Sequence, residues 1–296
     1  MTIKNLMKKM CRKKSTVVWM AVILLIIVMG FLAPVIAPHN PLEQNLEMKF
    51  AMPSLTYPMG TDNLGRCIFS RILYATRTTL GYSLLCTALA AVIGVTLGTI
   101  AGYKGGLWDT IIMRTCDVLY AFPALVLVMS IVGFIGVGIA NIVIAMLILQ
   151  WLWYARVSRN LAAAEREKNY IKAALVCGAT NRQVIFEHIL PNIIPNMLAI
   201  FTVDFGHTIL SISGYSFLGL GVQAPNPEWG AMISEGRNYI NTDPWLMFWP
   251  GLMILIVVVL VSMLGDRMRD ALDSQSQMQH CMRDAPGGAV MRRRAM

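Results

Sequence analysis

The chain has 296 residues, of which 56% are hydrophobic and 14% charged, and it carries a formal net charge of +9. A mean hydropathy of +0.58 excludes an ordinary soluble domain and makes this a membrane protein. Charge of this sign would suggest nucleic acid in a soluble chain, but in an apolar one its placement reports topology, and no nucleic-acid role follows.

Taken in order, residues 1–15 form a basic N-terminus with Lys4, Lys8, Lys9, Arg12, Lys13 and Lys14. The apolar run Val17 to Ile36 exceeds a signal-peptide core and is followed by Pro38, so 16–38 reads as an uncleaved first spanning helix. Residues 39–79 form an extracytoplasmic segment rich in Pro and polar residues. Within it, Gly60-Thr61-Asp62 is placed to cap a helix with Ile68, Ile72 and Leu73 on one face, resting on the membrane surface.

Five further apolar runs lie in 80–266, at Leu80 to Gly102, Asp117 to Gly136, Ile139 to Tyr154, Met197 to Leu220 and Met247 to Leu264. Most approach the roughly 20 residues that cross a hydrocarbon core of about 30 Å, which predicts an all-α polytopic membrane protein of about six transmembrane helices. Arg156, Arg159, Arg166, Lys168, Lys172 and Arg182 fill the loop 155–192 and place it in the cytoplasm; Glu228, Glu235 and Asp243 face Arg237 alone on the outside. Trp151, Trp153 and Tyr154 beside this basic loop read as an interfacial aromatic belt. The region 267–296 is a cytoplasmic tail with Arg267, Arg269 and Arg292 to Arg294, expected to be irregular from Ser274 onward. Both termini are thus cytoplasmic.

The chemistry is sparse. No phosphate-binding Gly-x-x-x-x-Gly-Lys-Ser/Thr occurs, and the cluster Gly102, Gly105 and Gly106 lacks the following Lys, so this chain does not hydrolyse ATP. No His-Glu-x-x-His or Gly-x-Ser-x-Gly suggests an enzyme, and the six cysteines form no Cys-x-x-Cys pair. The 21 methionines read as adaptable packing. Asp204 and His207 stand three apart on one face of a span. Either they hydrogen-bond to each other or to a neighbouring helix, or they line a pathway, His207 being the metal-ligand candidate since imidazole suits nickel. A self-sufficient ion-coupled transporter is the alternative in which the same pair relays the coupling ion.

The segment Tyr170 to Pro195 carries the strongest motif. Lys172-Ala173-Ala174-Leu175 is followed by Gly178 and then by His188-Ile189-Leu190-Pro191-Asn192, a small-residue helix face that another protein can approach closely. Three more patterns follow the same logic of order: Gly60-Thr61-Asp62-Asn63-Leu64-Gly65-Arg66, then Met113-Arg114 with Asp117 and Ala121-Phe122-Pro123, then Ser216-Phe217-Leu218-Gly219-Leu220-Gly221 with Pro225, Pro227, Glu228, Trp229 and Gly230. Gly265-Asp266 with Arg269-Asp270-Ala271-Leu272-Asp273 closes the last span.

Together these resemble the inner-membrane permease subunits of peptide/nickel-type ABC importers, from about residue 15 to 273, with Lys172 where the EAA motif often has Glu and Cys67 where the family often has Asp. The resemblance implies a type I ABC importer permease with a cytoplasmic coupling helix at Lys172, Ala173, Ala174, Leu175 and Gly178 that sits in a groove of an ATPase. It implies a second homologous permease subunit, two cytoplasmic ATP-binding subunits that hold the ATP and Mg, an extracytoplasmic solute-binding protein and surrounding membrane lipid as partners, with no cofactor on this chain. Trp151-x-Trp153-Tyr154, Asp204-x-x-His207 and Met247-Phe248-Trp249-Pro250-Gly251 look closest to the nickel-type branch, dipeptides or oligopeptides being the alternative substrate. Gly214, Gly219 and Gly221 are read as allowing close packing or bending near the outer end of the path.

Overall fold

The computed structural model describes residues 14–284, and the side chains of 14–272. The basic residues before Lys14 and the Arg292 to Arg294 triplet lie outside the described residues. Helix α1 (Lys14–Phe31) is extended by one turn at Ala33–Ile36, and an irregular segment follows. Helix α2 (Ile68–Lys104) leads into α3 (Gly106–Tyr120), α4 (Ala124–Ile135) and α5 (Ile139–Arg166). Two short helices, α6 (Asn169–Val176) and α7 (Asn181–Gln183), precede α8 (Leu190–Phe217); α9 (Trp229–Gly236) and α10 (Trp245–Asp284) complete the chain. No β-strand forms among the described residues.

Among the described residues, five helices are long and apolar enough to cross a membrane, or six spans result if α3 and α4 count as one broken span. The expected straight helix from Asp117 to Gly136 is interrupted because Pro123, with an extended ψ of 125°, starts α4 without continuing α3, and the two meet at 86°.

The expected surface helix at Ile68 is instead the first part of α2. No Gly or Pro separates Ile68 from Leu80, and Ile68, Ile72 and Ala75 are buried in the main core with Ile209, Trp229 and Val257. Asp62 does not cap the helix, a position that falls to Cys67 without a side-chain bond. It binds Arg66 and Arg71 instead.

The tightest helix pairing joins α2 to α5. A Cβ at Gly94, Gly98 or Gly102 would strike the α5 backbone or Ser158, so the four-residue spacing of these glycines brings the two backbones together in the way small-residue stripes do in membranes. Ser158 Oγ donates to the carbonyl of Tyr154 at 2.7 Å and reaches the Gly94 carbonyl at 3.2 Å, which satisfies a hydroxyl with no water to turn to.

The fourth of these long helices runs unbroken from Asn181 through α8, and so begins well before the apolar run at Met197. A π-helical turn, Val184–Ile189, precedes α8, and the Leu190 N–H bonds back to the Ile185 carbonyl. The wider turn relieves the clash that the Pro191 ring would make with the carbonyl four residues earlier. At the chain's end, α10 continues to Asp284 instead of ending near Ser274.

Candidate functional site

Three sites deserve a physical account, and they lie at different levels of the helix bundle. The first is a groove of about 620 Å³ between α5, α8 and α10. Asp204 and His207 line one part of it, and Asp266 and Arg269, near the end of the apolar part of α10, line another. Trp153, Val157, Ile200 and Val203 supply apolar walls. Gly265 lets α10 approach α8, since a Cβ there would press on Val203 at 2.5 Å.

Asp204 is half-buried, and one of its oxygens, Oδ2, accepts hydrogen bonds from Gln150 Nε2 at 2.6 Å and from Tyr154 OH at 2.9 Å. Gln150 also reaches Thr208 Oγ1 at 2.6 Å, while Thr87 Oγ1 and Thr208 Oγ1 lie 2.9 Å apart. The Cys86 thiol donates to Gln150 Oε1 at 3.2 Å. Polar groups from α2, α5 and α8 thus form one network, which offsets the cost of placing a carboxyl group inside a low-dielectric bundle. The network fixes Asp204 through one oxygen.

His207 is exposed and has no hydrogen-bond partner among the described residues, so the pair does not satisfy itself; Asp204 is held by α5. Tyr154 is fully buried against Asp204 and is no part of an interfacial belt, although Trp153 is half exposed in the groove. No group of three His, Cys, Asp or Glu side chains that could hold a metal converges among the described residues. His207 therefore offers one imidazole beside one carboxylate, a two-residue subsite that a bound cation would have to complete from elsewhere.

The second site is the segment around α6. Ile171 is fully buried with Tyr103, Ala162, Val184, Ile189 and Ile193 and anchors the helix to the bundle. Lys172 is exposed and pairs with Glu167 at 3.2 Å; Ala173 is exposed, and Leu175, Val176 and Phe186 show apolar surface to the outside. Phe186 was not singled out from the sequence, because it lies between Gly178 and the His188 stretch and belongs to neither pattern; it is 60% exposed.

Gly178 has a reason of its own. Its φ is +90°, its N–H bonds to the Leu175 carbonyl at 3.0 Å and the Ala179 N–H bonds to the Ala174 carbonyl at 3.0 Å, the paired bonds that end a helix with a left-handed residue. Among the described residues, nothing beyond its own chain neighbours lies within 4 Å of a Cβ placed there. Gly178→Ala is expected to cost about 1 kcal/mol locally, read as roughly fivefold faster amide exchange over 169–179 with α8 unchanged. Unaltered exchange would show that the backbone does not need glycine.

Tyr170 rivets this segment to both neighbouring helices: its hydroxyl donates to Glu165 Oε2 at 2.6 Å and accepts from Asn192 Nδ2 at 2.8 Å. Burial, helped by the Glu165 carboxylate, pushes the phenol up to about 12, so it remains a donor throughout the physiological range. Asn192 belongs to the His-x-Leu-Pro-Asn stretch, which gives that stretch a mechanical role.

The third site is a polar clasp at the opposite end of the bundle. Arg66 and Arg71, both buried, share Asp62 and Glu235: Arg66 Nε lies 2.6 Å from Asp62 and its NH2 2.6 Å from Glu235, while Arg71 NH1 lies 2.5 Å from Asp62 and 2.7 Å from Glu235. Two positive and two negative groups cancel, which ties the irregular segment, α2 and α9 together. Beside them Glu228 is fully buried, accepts from Thr79 Oγ1 and Ser213 Oγ, and caps α9 through the Ala231 N–H at 2.9 Å. Gly230 seats α9 on α8, because a Cβ there would collide with the Ser213 backbone. Of the three glycines expected to allow close packing, Gly221 lies against Ser216, Gly219 takes a φ of +84° and Gly214 has open space.

Residues 94–276 match the family described as binding-protein-dependent transport system inner membrane component, and residues 3–53 match the N-terminal TM domain of oligopeptide transport permease C. The nickel transport system permease protein NikC of Escherichia coli (strain K12) is 40% identical over 82% of this chain and 88% of its own. The dipeptide transport system permease protein DppC of Alkalihalophilus pseudofirmus is 38% identical over 90% and 88%, and the glutathione transport system permease protein GsiD of Pectobacterium atrosepticum 38% over 85% and 84%. The fold is shared with an inward-facing structure of the MetNI methionine ABC transporter, with a TM-score of 0.56 at 18% identity over 69% of this chain and 97% of that one. From the ordered helices, the match over most of their length and these relatives, the chain belongs to the binding-protein-dependent transport system inner membrane component family and is a multi-pass inner-membrane permease subunit of an ABC importer.

Proposed function

We propose that this chain forms half of a translocation path for nickel or a nickel chelate, with Asp204 and His207 as the polar contacts along it. The observation that carries this reading is the groove itself, which joins a carboxylate oriented by Gln150 and Tyr154 to an imidazole with no hydrogen-bond partner among the described residues. A second homologous permease subunit supplies the other half of the path. Two ATP-binding subunits hold ATP and Mg and receive α6, with its EAA-type Lys172, Ala173, Ala174, Leu175 and Gly178. An extracytoplasmic solute-binding protein delivers the cargo, both termini are cytoplasmic, and the loop 155–192 lies on the ATPase side.

Closure of the ATPases would move α6, and Ile171 and the Tyr170 bridge would carry that movement into α5 and α8. The polar network then shifts with α5 and α8, which changes what Asp204 presents to the groove. Dipeptides or oligopeptides are the second reading, favoured by the name of the DppC relative at similar identity.

ATP-dependent uptake of radiolabelled nickel, free and chelated, by the reconstituted complex in competition with di- and oligopeptides separates the two. Nickel uptake indifferent to peptides supports the first reading; peptide-sensitive uptake, or none of nickel, supports the second. Within the nickel reading, His207→Ala is expected to lower kcat/KM for nickel uptake about tenfold, the equivalent of about 1.4 kcal/mol of lost contact. Unchanged kinetics would remove His207 from the path.

A further inference from the structure

Helix α3 has two faces, and only one is explained by the fold. Ile112 and Cys116 are buried, Cys116 packing with Leu152 and Ala155 of α5. Asp109 binds Arg159 through two hydrogen bonds of 2.9 and 2.5 Å, and Asp117 binds Arg156 at 2.7 Å. The opposite face carries Leu107, Ile111, Arg114 and Val118, spaced i, i+4, i+7 and i+11 and therefore in one stripe. All four are exposed, Arg114 to 80% of its side chain.

Orientation follows from the break at Pro123. Helix α4 has no charged residue, and its Val128 and Val132 pack with Val143 and Met146 of α5, so α4 is the part of the pair that enters the bilayer. An angle of 86° to α4 then lays α3 near the membrane plane. The ion pairs agree: Asp109 and Asp117 are about 12 Å apart along α3, but their partners Arg159 and Arg156 only about 4.5 Å apart along α5, as in steeply crossing helices. Those arginines follow directly on Trp151 and Trp153, where α5 leaves its apolar stretch.

An apolar stripe is costly in water, and an arginine in its middle is costly in hydrocarbon; the headgroup boundary suits both, the aliphatic stem lying among acyl chains with the guanidinium at the phosphates. Asp109 is engaged by Arg159 and Asp117 by Arg156, with Arg114 a further 3.8 Å from Asp117 yet 80% exposed; Lys104 is also exposed and lies 4.9 Å over the Trp108 ring. The charge presented outward is positive. We propose that α3 is an interfacial helix that binds anionic phospholipid, with acyl chains against Leu107, Ile111 and Val118 and headgroup phosphates of separate lipids at Arg114 and at Lys104. The two ion pairs tie this lipid-bound helix to α5 just before α6. The helix's depth rests on α4 entering the bilayer, and the naming of the leaflet as cytoplasmic rests on the orientation proposed above.

The test uses the full chain, co-purified with its partner subunits, in nanodiscs of phosphatidylcholine alone or mixed with phosphatidylglycerol. Photoactivatable phosphatidylglycerol and phosphatidylcholine probes are crosslinked and the adducts mapped. The expected result is acyl-probe adducts at Leu107, Trp108, Ile111 and Val118 with none at Ile112 or Cys116, and preference for phosphatidylglycerol. Arg114→Gln and Lys104→Gln are each expected to reduce that preference about fivefold, whereas Arg182→Gln, elsewhere on the basic end, leaves it intact. Equal labelling by both probes would overturn the anionic site. An unlabelled stripe whose residues instead crosslink to the second permease subunit would overturn the lipid assignment.

Discussion

Replacing Arg71 with methionine is expected to destabilise the protein by about 3–5 kcal/mol, the cost of leaving buried charge without its partner. Arg71 is 1% exposed and lies within hydrogen-bond distance of both Asp62 and Glu235. Its loss leaves Arg66 alone with two carboxylates, of which Asp62 is buried with a side chain 6% exposed while Glu235 keeps 27% exposure. Methionine matches the apolar stem, so the effect reports charge and not volume. The companion variant sharpens this, because Arg71→Met with Glu235→Gln restores neutrality and should recover a large part of the loss. Thermal unfolding in detergent by the single and double variants measures the coupling. A double variant as unstable as the sum of the two singles would show that the four groups do not act as a unit.

The second large effect is expected at Gly98. Substitution by leucine drives a side chain into Ala155 and Ser158 of α5, where rigid backbone cannot yield, and should cost more than about 3 kcal/mol. Damage would not stay local. Tyr154 sits between the levels of Gly94 and Gly98, so separating α2 from α5 withdraws its hydroxyl from Asp204 and takes Gln150 with it. Loss of the folded monomer on size exclusion, or a folded chain without transport, are the two forms this effect takes. Gly81→Leu on the same helix, where nothing lies within 4 Å, should be tolerated. Equal tolerance at Gly98 would contradict the pairing described here.

How much of this was legible in the sequence depends on how local the cause is. The spans at α1, α5, α8 and α10 follow from apolar runs, since hydrocarbon demands them. The start of α2 did not, because Arg71 looks like the end of a span until Glu235, 164 residues away, is seen to neutralise it. The break in the third span was missed, because the apolar run reads from Asp117 to Gly136 straight through Pro123; Asp109, Arg114 and Asp117 before the proline, set against the wholly apolar stretch after it, are the signal that marks the 86° break.

The functional residues divide in the same way. Asp204 and His207 stand out because polar groups in a span are costly, yet Gln150, Tyr154 and Thr208 are the groups that hold the carboxylate, and each resembles ordinary span chemistry when read alone. Tyr154 in particular sits beside two tryptophans and a basic loop, which mimics an interfacial belt; only the approach of α8 turns it inward. Gly94, Gly98 and Gly102 carry a visible four-residue spacing. Gly178 was legible as a residue that must be small, but the reason inside this chain is its φ of +90°.

The central claim is that the groove containing His207 is the path and that it changes with the nucleotide state of the ATPases. It is tested most directly by thiol labelling of His207→Cys in a chain whose native cysteines are replaced by serine, reconstituted with its partner subunits in nanodiscs. A membrane-impermeant maleimide should label position 207 in the nucleotide-free complex and label it several-fold more slowly when ATP is trapped with vanadate. Equal labelling in both states, or none in either, would contradict the account.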